Sequence, residues 1–240
     1  FDFGNYSYVD YQNHISGIGS CVMRVEPFLE KAFSSSGRVD LDVPKLECYD
    51  KNPHIIFTGN ASKLWTKTLR HGRKDTLGPF LKRLSQHDIH IFVKEKAETK
   101  GLSNLHLFPT FYNPDLMNGK FSQYISQFDA HLVMYNEFNG TSRRRVASGL
   151  ATRFAYAIAS TSPIALTDTS KFIEEYPQDT PFWFTFRGVK DLAESLHNKQ
   201  LLKSLRNNME KVHRTYAFES QSQHIAQFFE KILEKPGVSN

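Results

Sequence analysis

Residues 57–60 are the first segment that could bind a ligand. They read Phe-Thr-Gly-Asn and lie at the end of a short apolar run, residues 54–58. A glycine at the end of a buried strand lets the backbone approach a ligand closely, so Gly59 and Asn60 are candidate ligand contacts. A tight strand-to-helix turn with no ligand explains the same residues. The segment is not a GxGxxG fingerprint, and the chain has no Walker A sequence, so neither a Rossmann dinucleotide site nor a P-loop is predicted.

A second segment, residues 69–74, concentrates positive charge. It reads Leu-Arg-His-Gly-Arg-Lys and contains Arg70, Arg73 and Lys74. Guanidinium and ammonium groups bind phosphate through charge-assisted hydrogen bonds, which makes Arg70 a candidate phosphate ligand. The alternative is a solvated basic loop.

A third segment, residues 136–145, is the most informative. A polar loop containing Gly140, Thr141 and Ser142 precedes a helical pattern that begins with Arg143 and Arg144. Thr141 or Ser142 suits the N-cap position of that helix. Free N–H groups at a helix N-terminus attract anions, whereas arginines there oppose the helix dipole and are stabilised by a bound anion. The sequence therefore predicts an anion site, with solvated arginines as the alternative.

Other classes of site find little support in the composition. The chain has two cysteines and no HExxH spacing, so no metal site and no cofactor are predicted. His54, His90 and His106 lie within strand patterns, where packing is the simplest role. The net charge of +5 is modest for a nucleic-acid binder but suits a nucleotide diphosphate. No nucleic-acid-binding motif is present, so nucleic acid is not an expected partner.

The elements that would position these segments alternate along the chain. Apolar runs predict about six strands, and helical spacing predicts the segments between them, which implies a mostly parallel, doubly wound α/β sheet of Rossmann-like type. Such sheets bind ligands at the carboxyl ends of their strands. The strands are predicted at 54–58, 89–93, 105–108, 131–135, 163–166 and 182–186, and the helices at 76–86, 116–128, 144–160, 172–176 and within 189–234.

The first 52 residues do not share this alternation. They are interrupted by glycine and serine, so residues 1–52 are interpreted as an N-terminal appendage or linker and 53–240 as the domain. Two cysteines, no leader and no long apolar run favour the cytoplasm. Because the sequence begins with Phe1, it is interpreted as a fragment of a longer protein.

Several blocks follow the order found in one enzyme family. Residues 55–59 read Ile-Ile-Phe-Thr-Gly, 107–111 read Leu-Phe-Pro-Thr-Phe, and 128–133 read Phe-Asp-Ala-His-Leu-Val. Residues 153–165 read Arg-Phe-Ala-Tyr-Ala-Ile-Ala-Ser-Thr-Ser-Pro-Ile-Ala, which is similar to a family pattern K-L-F-E-Y-L-A-A-G-x-P-V-I. Over about residues 53–234 the chain resembles the C-terminal, nucleotide-sugar-binding half of GT-B glycosyltransferases.

This resemblance implies a donor site for a nucleotide-diphosphate sugar of the UDP or GDP type. Gly59 would lie at the phosphate-facing turn, Phe111 near the base, and residues 140–142 with the following helix start at the diphosphate. Arg153 matches the lysine of the pattern, so Arg143, Arg144 and Arg153 become diphosphate candidates. The acceptor would be a saccharide or a lipid-linked glycoconjugate, which leaves open a peripheral association with the inner face of the membrane.

The sequence also departs from the family. The E-x7-E motif of retaining enzymes would place carboxylates at Ser148 and Tyr156, and neither residue is acidic. Glu137 is a partial substitute for ribose recognition. The glycine expected before the late proline is Thr161 or Ser162. The N-terminal GT-B half is missing, so catalysis would need that domain, and no catalytic residue is assigned. The alternatives are a sugar-nucleotide epimerase of GT-B-like fold and a noncatalytic Rossmann-like binding domain.

Overall fold

Six short strands form one parallel sheet in the order β3-β2-β1-β4-β5-β6. A computed structural model describes residues 46, 50–59, 77–94, 101–112, 115, 119–134, 152–167, 179–216, 222–223, 226–227 and 229–230. The strands are β1 (His54–Phe57), β2 (His90–Lys94), β3 (Leu105–Phe108), β4 (Ala130–Val133), β5 (Ile164–Thr167) and β6 (Trp183–Phe186). The predicted doubly wound α/β fold is confirmed, with all five strand pairings parallel.

Helices cover both faces of this sheet. They are α1 (Leu77–Leu84), α2 (Lys120–Ile125), α3 (Thr152–Ala159), α4 (Val189–His197) and α5 (Lys199–Tyr216). Most residues of the central strands are buried because apolar side chains project alternately to the two covered faces, whereas Leu107 of the edge strand β3 is exposed. The predicted helix at 172–176 and the first part of the one at 144–160 lie outside the described residues.

The two faces have different cores. On one face, which we call the aliphatic face, alternate residues of β1 such as Ile55 and Phe57 join Leu81 of α1 and Leu192 of α4 in a mainly aliphatic cluster. On the other face, Ile56 lies in an aromatic cluster. That cluster also contains Phe92, Phe108, Phe121, Tyr124, Ile125 and Phe128. Part of the aromatic-rich composition thus lies beneath α2.

At the end of α3, a threonine occupies a position where the GT-B pattern that the sequence resembles has a glycine. The N–H of Ser162 donates to the carbonyl of Ala157 at 2.9 Å, and that of Thr161 donates to the carbonyl of Ile158 at 3.0 Å. This pair of bonds is the Schellman motif, which needs a left-handed residue at the first position beyond the cap. Thr161 takes that position with φ of 51°. The chain therefore accepts a strained threonine where the related pattern has glycine.

The predicted boundary at residue 52 stays a prediction. Of residues 1–52, only 46 and 50–52 are described. The N–H of Leu46 donates to Oε1 of Gln127 at 3.2 Å, and Leu46 lies against the aromatic cluster. At least this residue of the predicted appendage therefore contacts the domain.

Gly59 is required by the ring of Phe57. A Cβ atom on Gly59 would lie 2.8 Å from Cε1 of Phe57 and also meet Cζ, because the backbone folds back over that ring. Gly59→Ala should therefore lower the free energy of unfolding by about 1–3 kcal/mol, the usual cost of overpacking a core.

Chemical denaturation of a double-mutant cycle with Phe57→Leu checks this reason. The shorter leucine side chain leaves room for the added methyl group, so Gly59→Ala should cost less in the Phe57→Leu background than in the wild type. Strictly additive effects would show that the ring contact is not the cause.

Candidate functional site at the carboxyl edge of the sheet

The strand order reverses direction between β1 and β4. From β1 the chain continues through α1 on the aliphatic face, whereas from β4 it continues through α3 on the opposite face. Connections that leave neighbouring strands on opposite faces open a crevice at their carboxyl ends, which is where open α/β sheets bind ligands. The crevice between β1 and β4 is therefore the candidate site.

A polar pair, half-buried Thr58 and buried His131, joins the two strands at their carboxyl ends. Oγ1 of Thr58 lies 2.8 Å from Nε2 of His131, within hydrogen-bonding distance. Because Ile56 is paired with His131 across the two strands, Thr58 and His131 project from the same face of the sheet. The side chain of His131 is fully buried, and its Nδ1 has no hydrogen-bond partner among the described residues.

Arg153 extends over the same strand ends from α3. Its Nη1 donates to the carbonyl oxygen of Met134, the residue after β4, at 3.0 Å. Its Cζ lies 5.6 Å from the centroid of the Phe57 ring, a cation–π distance. These two contacts hold a partly exposed guanidinium directly above the switch point of the sheet.

The electrostatics of the crevice favour anions over cations. Burial, and secondarily the charge of Arg153, lower the pKa of His131 to about 3. The imidazole is therefore neutral at physiological pH, and Arg153 supplies the positive charge at this edge. A fixed cation beside neutral hydrogen-bonding groups is suited to phosphate oxygens.

The described residues bring together only part of the predicted site. Gly59 and Arg153 both contact the Phe57 ring, so these two predicted residues do lie together. Phe111 packs against α2, with its ring centroid 5.0 Å from that of Phe121 and 5.1 Å from that of Tyr124. The other candidates lie outside the described residues, namely Asn60, Arg70, Glu137, Gly140, Thr141, Ser142, Arg143 and Arg144.

Thr58 and His131 were not among the predicted site residues. The signal that identifies them is positional, because each is a polar residue within or just after an otherwise apolar strand. Their mutual distance depends on which strands are neighbours, and the sequence does not specify the strand order.

The predicted packing role of the strand histidines is seen at the opposite edge of the sheet. The rings of His54 and His90 stack at 4.6 Å, and Nδ1 of His90 lies 2.8 Å from Nε2 of His106. Asp50 accepts from Nε2 of His90 at 3.3 Å. Within the described ranges no group of histidine, cysteine and acidic residues is arranged to hold a metal ion.

Comparison with solved structures identifies the fold. The pneumococcal O-GlcNAc transferase GtfA, in complex with UDP and GlcNAc, matches with a TM-score of 0.57 and 9% identity over 98% of this chain. A TarM mutant from S. aureus, in complex with fondaparinux, α-GlcNAc-glycerol and UDP, matches with a TM-score of 0.54 and 10% identity over 95%. The fold is that of GT-B glycosyltransferases. This chain spans 45% and 43% of the length of those proteins.

The similarity is one of structure. No family model matches the sequence, and no curated protein matches it. None of the described helices is both long enough and apolar enough to cross a membrane.

The buried neutral histidine makes stability depend on pH. Folding lowers the pKa of His131 from 6.5 to about 3. The contribution of the neutral imidazole to the free energy of unfolding is therefore complete above pH 6.5 and is lost as the pH falls toward 3. Between pH 7 and pH 5 the free energy of unfolding should fall by about 2 kcal/mol from this residue alone.

Urea denaturation of the wild type and of His131→Leu across this pH range is the measurement. In His131→Leu, the free energy of unfolding should fall much less between pH 7 and pH 5 than it does in the wild type. A smaller pH dependence of stability should remain in this variant, since burial also lowers the pKa of His54. Identical slopes in the two proteins would mean that His131 is not the responsible group.

Proposed function

We propose that this chain is the donor-binding half of a glycosyltransferase and binds a nucleotide-diphosphate sugar in the crevice between β1 and β4. The observation that carries the proposal is the guanidinium of Arg153, which is held above the switch point by the Met134 carbonyl and the Phe57 ring. Support also comes from two proteins of the same fold whose structures contain UDP.

The chemistry of glycosyl transfer explains why a cation would be placed there. An acceptor hydroxyl attacks the anomeric carbon and gives its proton to a general base, the bond from that carbon to the diphosphate oxygen breaks, and the diphosphate leaves with an added negative charge. A preorganised cation lowers the energy of the transition state in which this charge develops. Arg153 is suited to this role, and Arg143 and Arg144 are proposed to add to it.

The remaining parts of the proposal follow from the same site. Gly59 and Asn60 would contact the phosphates through the turn after β1, with Arg70 as a further phosphate ligand. Gly140, Thr141 and Ser142 would present N–H groups, Glu137 would contact the ribose, and Phe111 would lie near the base. A UDP or GDP sugar is the proposed donor, and a saccharide or lipid-linked molecule the proposed acceptor. The acceptor and the catalytic base are assigned to an N-terminal domain beyond this chain.

A noncatalytic binding domain is a second candidate, and one observation favours it. The second acid of the retaining pattern would lie at Tyr156, whose ring instead lies edge-on against Phe121 at 5.1 Å. A packed aromatic residue at this position supplies no carboxylate to the crevice. Donor binding without transfer, even in the full-length protein, would support this alternative.

A screen of nucleotides tests donor binding directly. A ligand that binds only the folded state raises the melting temperature, so UDP, GDP, dTDP, ADP and CMP should be compared with their common sugar conjugates by thermal shift and calorimetry. We expect one nucleoside diphosphate to bind and its sugar to add affinity. If none binds, either to this chain or to the full-length protein, the proposal is wrong.

Arg153→Gln should weaken binding of that nucleotide roughly tenfold, the value of one charge-assisted hydrogen bond. The matched control is Arg83→Gln, because Arg83 is an exposed arginine in the last turn of α1. Binding measured by calorimetry should be unchanged in the control. Equal weakening in both variants would point to net charge rather than to the crevice.

A further inference from the structure

A second concave site lies at the amino edge of the sheet, on the side away from the switch point. A cavity of about 390 Å³ opens between the start of α5 and the residues that precede β1 and β4. Leu196 and Leu202 form an apolar part of its wall, while Lys51, Pro53 and Asp129 contribute from the strand side. This volume is large enough for a phosphorylated small molecule or a lipid headgroup.

Positive charge is concentrated on the helix side of this cavity. Lys199, Lys203 and Arg206 lie at spacings of four and three residues, so they share one face of α5, and all three line the cavity with Lys51. Like charges four residues apart on a helix destabilise it, and α5 has no acidic residue in its first turn. Within the described part of the chain, no carboxylate forms an ion pair with Lys51, Lys199 or Lys203.

Arg206 is fixed in place while its charge is partly desolvated. Its Nη1 and Nη2 donate to the carbonyl oxygens of Ser126 and Phe128 at 3.1 and 2.6 Å. Burial lowers the pKa of Arg206, although the nearby carboxylates of Asp129 and Glu210 act in the opposite direction. A guanidinium that has lost part of its hydration gains from an additional anion.

The one carboxylate that lines the described cavity already has a structural role. Oδ2 of Asp129 accepts the backbone N–H of His54 at 2.8 Å, a bond that joins the start of β1 to the start of β4. Four cationic residues therefore line the cavity against one acid, which gives a formal charge of about +3 at its wall.

We propose that this cavity is a phosphate-binding site distinct from the donor crevice. Lys199, Lys203 and Lys51 bind the phosphate oxygens, and Arg206 contributes its fixed charge from the base. The phosphate is carried either by a soluble phosphorylated molecule or by a phospholipid headgroup. The site uses no residue of the switch point, so it does not depend on the proposed donor function.

Calorimetry with inorganic phosphate, in the wild type and in Arg153→Gln, tests the soluble form. Co-sedimentation with phosphatidylcholine vesicles, with and without phosphatidic acid, tests the lipid form. The variant is Lys199→Gln combined with Lys203→Gln, two exposed positions whose change should leave the fold intact. The control is Lys190→Gln, because that ammonium lies on α4 outside the cavity and 3.8 Å from Glu194.

We expect one probe to bind the wild type and Arg153→Gln equally, to weaken about tenfold or more in the double variant, and to be unaffected in the control. Phosphate binding would identify a soluble ligand, and binding to phosphatidic acid vesicles alone would identify a lipid headgroup. The proposal is overturned if neither probe binds, if binding survives the double variant, or if the control loses binding to the same extent.

Discussion

The pairing of β1 with β4 is the constraint on which the site depends. The two strands are separated in sequence by β2 and β3, yet they are neighbours at the centre of the sheet. Their connections leave on opposite faces, so none of the described helices covers the gap between their carboxyl ends. The pairing of Thr58 with His131 and the position of Arg153 over the ends of the two strands both follow from this adjacency.

The same adjacency is reinforced at both edges by polar bonds. At the carboxyl edge, half-buried Thr58 pairs with buried His131, and at the amino edge the carboxylate of Asp129 accepts the N–H of His54. Buried polar groups are costly unless they are satisfied, so such bonds favour one strand arrangement over alternatives. Hydrophobic strands such as β1 could pair with several neighbours, whereas these bonds require β4.

The sequence predicted the elements better than the site. Strand positions followed from apolar runs such as 54–58 and 89–93, because a strand buried on both faces must be apolar throughout. Gly59 and Arg153 were predicted from a glycine after a strand and from a family pattern, and the structure places both against Phe57. The pairing of Thr58 with His131 was not predictable, since no local pattern reveals which strands are adjacent. The spacing of Lys199, Lys203 and Arg206 is enough to predict that they share one face of α5. The cavity beside them could not be predicted, because it also needs the residues before β1 and β4.

The bond between His54 and Asp129 also has a consequence for the order of folding. It joins residues 75 positions apart, and the strand pairing beside it closes a chain segment of similar length. Contacts between distant residues form late, because the entropy of closing a long loop must be lost before the contact stabilises the chain. β1 and β2 are close in sequence and can pair early, but the candidate crevice requires β4, which comes later in the chain. Among the described strands, β1 is therefore the edge of the sheet until β4 pairs with it, and that one pairing both protects the edge and forms the candidate crevice.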